Sequence, residues 1–134
     1  MNLIFDASAL IAFLQDETGA ETAENLMTDL TNTCHIHAIN LCEVFYDFIR
    51  RKNESEAKQA MQILLSMGLF LHDDLDPEFW QQAELYKGYI RHVSLADCFC
   101  IALAKRLNGS VVTTDHHEFD AISEQGIISV KFIR

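Results

Sequence analysis

Leu3-Ile4-Phe5-Asp6-Ala7-Ser8-Ala9-Leu10 is the stretch whose reading decides the fold. Three apolar residues make a short strand, and an acid follows before helical spacing sets in over Ala9–Leu14. The pattern recurs near the far end, where Ser110-Val111-Val112-Thr113 is followed by Asp115. Further strand-type runs are His35–Ile39, Leu69–Leu71 and Ile127–Ile133. Between them, helical periodicity covers Glu21–Leu30, Leu41–Lys52, Glu54–Met67, Glu78–Ile90 and Leu95–Leu107. Strands alternating with helices predict an α/β domain: a three-layer α/β/α sandwich around a mainly parallel sheet.

The chain has 134 residues, 49% of them hydrophobic, which predicts one domain spanning 1–134 with a well-buried core. The first residues carry no basic region or long apolar stretch, so neither a signal peptide nor a membrane span is expected, and a cytoplasmic location follows. Cys34, Cys42, Cys98 and Cys100 lack C-x-x-C spacing and read as buried thiols of a reducing compartment. The formal net charge is −10. Such a field repels RNA and favours divalent cations or a basic protein partner.

Helix starts and stops are signposted. Asp76-Pro77-Glu78 reads as an N-cap with proline in the first turn, and Asn108-Gly109 as a helix stop. Ser94-x-x-Asp97 and Asn40-x-x-Glu43 both have the form of a capping box. In a parallel sheet, ligands bind outside the carboxyl ends of the strands. Asp6 and Asp115 directly follow strands, and Glu43 and Asp97 fall in the first turns of their helices. Each is also a favoured capping residue. Converging on one crevice, however, the four would repel each other unless a hard divalent cation with oxygen ligands lay between them. Mg²⁺ or Mn²⁺ suits that donor set; no Cys or His clustering points to zinc.

These residues resemble the PIN domain family, in particular its VapC-type toxins. Leu3 to Leu10 looks like the family's opening strand with Asp and Ser/Thr. Leu95-Ala96-Asp97-Cys98-Phe99-Cys100-Ile101-Ala102-Leu103-Ala104 is similar to its third acidic motif, although Cys98-Phe99-Cys100 departs from the usual small and aliphatic residues. Val111-Val112-Thr113-Thr114-Asp115-His116-His117-Glu118-Phe119 is similar to its T-x-D-x-x-x-F closing motif, and Glu43 lies where the family has its second acid. The resemblance implies an Mg²⁺- or Mn²⁺-dependent endoribonuclease, the toxin of a toxin–antitoxin pair. It makes Asp6, Glu43, Asp97 and Asp115 both metal ligands and catalytic groups, with Ser8 and Thr113 orienting them by hydrogen bonding. RNA is then the substrate and a basic antitoxin, carrying an Arg toward the carboxylates, the partner. Alternatives are a non-toxin PIN nuclease, a catalytically silent PIN interaction module, and a haloacid-dehalogenase-like phosphatase. The last is weakened by Ser8, which stands where that family has its second Asp.

The remaining candidates have simpler readings. His116 and His117 are first-turn residues beside Asp115 that could assist a proton transfer, while His35 and His37 share a strand face and are not ligand-spaced. Asp73, Asp74 and Asp76 read as turn and cap chemistry, and Asp120 as a peripheral acid. Arg50-Arg51-Lys52 with Lys58 is the best basic patch, Lys87 with Arg91 the next. Phe45, Tyr46, Phe48 and Ile49 give one helix a broad apolar surface, part of it a groove for a partner helix. The apolar surfaces of Leu41–Lys52 and Glu54–Met67 also predict a symmetric homodimer.

Overall fold

A computed structural model describes residues 1–90 and 92–134. The chain runs β1 (Asn2–Phe5), α1 (Ala7–Leu14), α2 (Ala20–Thr28), β2 (Thr33–His37), α3 (Ala38–Arg51), α4 (Glu54–Ser66) and β3 (Phe70–His72). It continues through α5 (Pro77–Tyr89), α6 (Leu95–Arg106), β4 (Ser110–Thr113), α7 (His116–Glu124) and β5 (Ser129–Phe132). The five strands form one sheet in the order β3-β2-β1-β4-β5, with every neighbouring pair parallel. This is the α/β sandwich that the alternation of strands and helices predicts. Among the described residues, no helix is long and apolar enough to cross a membrane.

Period-two alternation divides the core between the two faces of the sheet. Leu3 and Phe5 of β1 and Val112 of β4 join the cluster under α1–α4, whereas Ile4 and Val111 join the one under α5–α7. Strands buried on both faces read as continuous apolar runs, which is why β1 and β4 are legible without alternation. From β1 the chain winds outward through β2 and β3, then returns to β4 on the other side. That reversal opens a crevice at the carboxyl ends of β1 and β4.

Helix α6 lies deepest, with every residue from Ala96 to Ala104 buried. Its alanines and cysteines let it approach the sheet closely. Asn108 takes the left-handed turn that ends it (φ 51°), and Gly109 then passes so near β1 that a Cβ would sit 2.5 Å from the Asn2 carbonyl oxygen.

Two expectations need correction. Helix α3 begins at Ala38 and not at Leu41, capped by His37 Nδ1, which accepts from the Ile39 amide at 3.1 Å. Asn40-x-x-Glu43 is therefore no capping box. Asn40 is buried inside the helix and donates to the Ala96 carbonyl at 3.2 Å, and Glu43 falls in the second turn. Cys34, Cys98 and Cys100 are buried as expected, but Cys42 is exposed, because it sits on the open face of α3.

Candidate metal centre

Asp6 ends β1 and caps α1, so its carboxylate is fixed by local backbone geometry. Oδ1 accepts from the Ala9 amide at 2.9 Å and from Ser8 Oγ at 2.7 Å; Oδ2 accepts from Thr113 Oγ1 at 2.5 Å. Each hydroxyl has one hydrogen, and both are directed at Asp6. As acceptors, Ser8 Oγ takes the Thr114 amide and Thr113 Oγ1 the Asp115 amide, each at 3.0 Å. These two side chains thus tie the β1–α1 corner to the β4–α7 corner. Burial nevertheless outweighs the three donors and raises the Asp6 pKa from 3.8 to about 6.

Asp115 caps α7, with Oδ1 accepting from the Glu118 amide at 3.0 Å. One helical turn on, Glu118 projects toward the start of α6, where its Oε1 accepts from the Ser94 amide at 3.1 Å. Ser94 Oγ in turn accepts from the Asp97 amide at 3.2 Å. Half of the predicted capping box at Ser94 is therefore present, but Glu118 of another helix completes it in place of Asp97. Released from capping, the Asp97 carboxyl faces the crevice.

Ligand atoms of Asp97, Asp115 and Glu118 all lie within 4.8 Å of one another. Asp6, Glu43 and Asp47 line the same cleft, whose volume is about 360 Å³. The acids crowd one another. Burial, then the hydrogen bond and charge of Glu118 and the charges of Asp6 and Glu43, push the Asp97 pKa to about 10. Glu43, farther out on α3, is raised by partial desolvation and by the Glu118 charge. Such a set cannot be fully ionised without a positive charge among its members. Its donors are all carboxylate oxygens, the chemistry of a hard divalent cation and not of zinc. Asp97, Asp115 and Glu118 would hold such an ion, with Asp6 and Glu43 beside them.

Of the four acids expected at the site, Asp97 and Asp115 are in mutual reach, and Asp6 and Glu43 share their cleft. Glu118 and Asp47 are additions that the sequence reading lacks. Both carry a readable signal: Glu118 is three residues after Asp115, and Asp47 is four after Glu43, spacings that put each on the same helical face as its partner.

The other candidates are engaged elsewhere. His35 links His72 (2.8 Å) and Asn2 (3.0 Å), and His37 meets the Asp74 carbonyl oxygen at 2.9 Å and stacks between Phe79 and Phe99. His116 pairs with Asp120 at 2.8 Å and stacks on Phe132, while His117 is exposed. Lys87 donates to the Val93 carbonyl at 2.6 Å; its expected companion Arg91 lies outside the described residues.

The fold and the site together define a parallel α/β domain with a cluster of carboxylates at its topological switch point. A family model for the PIN domain matches residues 3–125, and the chain belongs to that family. No curated protein matches it. Among solved structures it is similar to VapBC2 of Rickettsia felis bound to a promoter DNA fragment, at 19% identity and TM-score 0.71, with 98% of each chain covered. It is also similar to VapC20 of Mycobacterium tuberculosis, a toxin that cleaves the sarcin-ricin loop (18%, TM-score 0.70, 89% of this chain and 94% of that one). A toxin–antitoxin complex from Klebsiella pneumoniae aligns at 17% identity and TM-score 0.72, over 98% of both chains.

Proposed function

We propose that the chain is a divalent-metal-dependent endoribonuclease, Mg²⁺ or Mn²⁺ being the ion, and the toxin of a toxin–antitoxin pair. The observation that carries this is the crowding of Asp97, Asp115 and Glu118, whose ligand atoms lie within 4.8 Å of one another, with burial and the neighbouring acids raising the Asp97 carboxyl far above its ordinary range. Asp97, Asp115 and Glu118 would hold the ion, which would supply Lewis acidity toward a water and a phosphodiester. The chain's own residues fix the geometry. Asp6 is held on both oxygens by Ser8, Thr113 and the Ala9 amide, and Glu118 is held on the Ser94 amide. Neither carboxylate can swing away without losing those bonds.

Partner and assembly follow from the surface. A groove of about 410 Å³ beside the cleft is lined by Leu41, Phe45, Tyr46, Ile49, Met61 and Leu71, an apolar seat for an antitoxin helix. An antitoxin Arg entering the neighbouring cleft would neutralise the acids in place of metal. A further exposed apolar face, Trp80, Leu85 and Tyr89 on α5, would serve a second copy in a homodimer, in place of the α3 and α4 surfaces expected from the sequence. Cleavage of structured RNA with Mg²⁺, Mn²⁺ or EDTA is the test. Wild type should cut only with metal, and Asp97→Asn should lose the activity; cleavage that is unchanged in EDTA and in the variant would overturn the proposal.

A further inference from the structure

The cleft is acidic and so is the chain, yet a ribonuclease must hold a polyanion against both. Four of the described cations are committed away from the cleft. Arg106 binds Asp74 and Asp76, Lys58 binds Glu54, Arg134 binds Glu17, and Lys87 caps a carbonyl. Arg50 and Arg51 differ. Arg50 Nη2 and Arg51 Nε both reach Asp47 Oδ1, at 3.3 and 3.0 Å, and Asp47 lines the acid cleft; Arg51 Nη1 also lies 3.8 Å from Glu17 Oε2.

Three details set this group apart from an ordinary basic helix end. Cations in a last helical turn serve the dipole without needing a buried carboxylate beneath them. Here the Asp47 side chain is only 10% exposed, and its Oδ2 is buried without a partner. Burying a carboxylate in this way is costly, so its placement needs a reason. Both guanidiniums share one oxygen and stay open to water, with side chains 60% and 46% exposed, so most of their N–H groups remain available. Finally, Arg50 lies 5.8 Å from the centroid of the Tyr46 ring, and Tyr46 is itself exposed at the lip of the cleft.

We infer that Arg50, Arg51 and Tyr46 form an RNA-binding subsite at the rim of the cleft, with Asp47 as its positioning residue; this rests on the ribonuclease reading. The guanidiniums hold a backbone phosphate next to the one being cut, in the bidentate geometry that arginine favours. Tyr46 offers its face to a neighbouring base. Stacking needs a base that is not already stacked in a helix, so the subsite selects single-stranded or loop RNA over duplex.

The experiment uses the full chain and a labelled single-stranded RNA oligonucleotide, with its duplex for comparison. Binding is followed by fluorescence anisotropy in EDTA over a salt series, and cleavage with Mn²⁺ gives KM and kcat separately. Arg50→Ala/Arg51→Ala should weaken binding and raise KM by about 10-fold or more, leaving kcat within about 3-fold. The slope of log affinity against log salt should become shallower by about 0.7 for each phosphate that the variant no longer holds. Tyr46→Ala should weaken binding about 5- to 100-fold, with Tyr46→Phe restoring it. Asp47→Asn should raise KM and not lower kcat, and Lys58→Ala should change neither. Should the double alanine variant misfold with Asp47 left unpaired, Arg50→Ala/Arg51→Ala/Asp47→Asn and Tyr46→Ala decide the matter. If wild type cuts RNA and these variants keep its Kd, KM and salt slope, the subsite is wrong and the ribonuclease reading stands. If wild type binds RNA through these residues yet never cuts it, the ribonuclease reading fails and the subsite stands. A wild type that neither binds nor cuts RNA overturns both.

Discussion

Two corners of this protein are built from the same residue type in the same kind of place and behave in opposite ways. At the carboxyl ends of β1 and β4, Asp6 and Asp115 cap helices and face Asp97 and Glu118. After β3, Asp76 caps α5 by accepting from the Phe79 amide at 3.2 Å, and faces Arg106, whose two terminal nitrogens reach its carboxylate at 2.8 and 3.0 Å. Asp6 is pushed up to about 6 and Asp76 down to about 2, from the same starting value of 3.8. Capping position therefore says little about an aspartate's charge. What faces the carboxyl, and whether water reaches it, decides.

The sharpest way to break the contrast is to neutralise one acid in each corner. Asp97→Asn should reduce RNA cleavage about 100-fold or more and abolish the metal-dependent rise in melting temperature. In EDTA the same variant should melt at or above the wild-type temperature, because a repelling charge has gone. Asp76→Asn should leave cleavage and the metal response intact and lower the melting temperature slightly, since Asn still caps α5 but no longer draws on Arg106. Scanning calorimetry with and without Mn²⁺, beside a cleavage assay, separates the two patterns. Identical behaviour of both variants would erase the distinction between the corners.

Glu118→Gln tests a smaller step. Gln keeps a carbonyl oxygen for the Ser94 amide, so the start of α6 should hold while metal affinity falls about 10- to 100-fold. Titration of the melting temperature with Mn²⁺ reads this directly. An unchanged midpoint would remove Glu118 from the ion's surroundings.

The pH response should also differ in sign. A carboxyl whose folded value is raised stabilises the fold below its unfolded value and loses that contribution as pH climbs toward the folded one. For Asp97 the window runs from about pH 4 to about pH 10. His37, held neutral between Phe79 and Phe99, and Asp6, raised to about 6, act mainly at lower pH. Between about pH 7 and 8, in EDTA, the wild-type melting temperature should therefore fall as pH rises, and Asp97→Asn should flatten that fall. At Asp76 the depressed value gives stability that is present above about pH 4 and lost on acidification toward pH 2. A flat wild-type profile across neutral pH would show that Asp97 is ionised without metal.

Much of this is legible in the sequence because the decisive cues are local. An apolar run buried on both faces, followed at once by an acid, places Asp6 and Asp115 without any knowledge of tertiary contacts. The start of α3 escapes such a reading because its cap is the His37 imidazole, which no common capping preference announces, and because Ala38 and Ile39 extend the apolar strand pattern into the helix. The role of Glu118 escapes it for the opposite reason. Ser94 and Glu118 complete a capping box across 24 residues of sequence, whereas the usual signature looks only three residues ahead. Asp47 is hidden by its neighbours, since Arg50 and Arg51 by themselves are accounted for by the dipole of α3.

The hydroxyl clasp between the two corners has a consequence for synthesis. Thr113 donates to Asp6 across 107 residues of chain, and Ser8 receives the Thr114 amide across 106. Contacts so distant in sequence close only after the intervening chain has been made. A growing polypeptide on the ribosome thus carries Asp6, Glu43 and even Asp97 without the clasp that aligns them, and the cleft is assembled only once β4 has emerged and inserted beside β1. The acidic arrangement is withheld until nearly the last of these residues has left the ribosome.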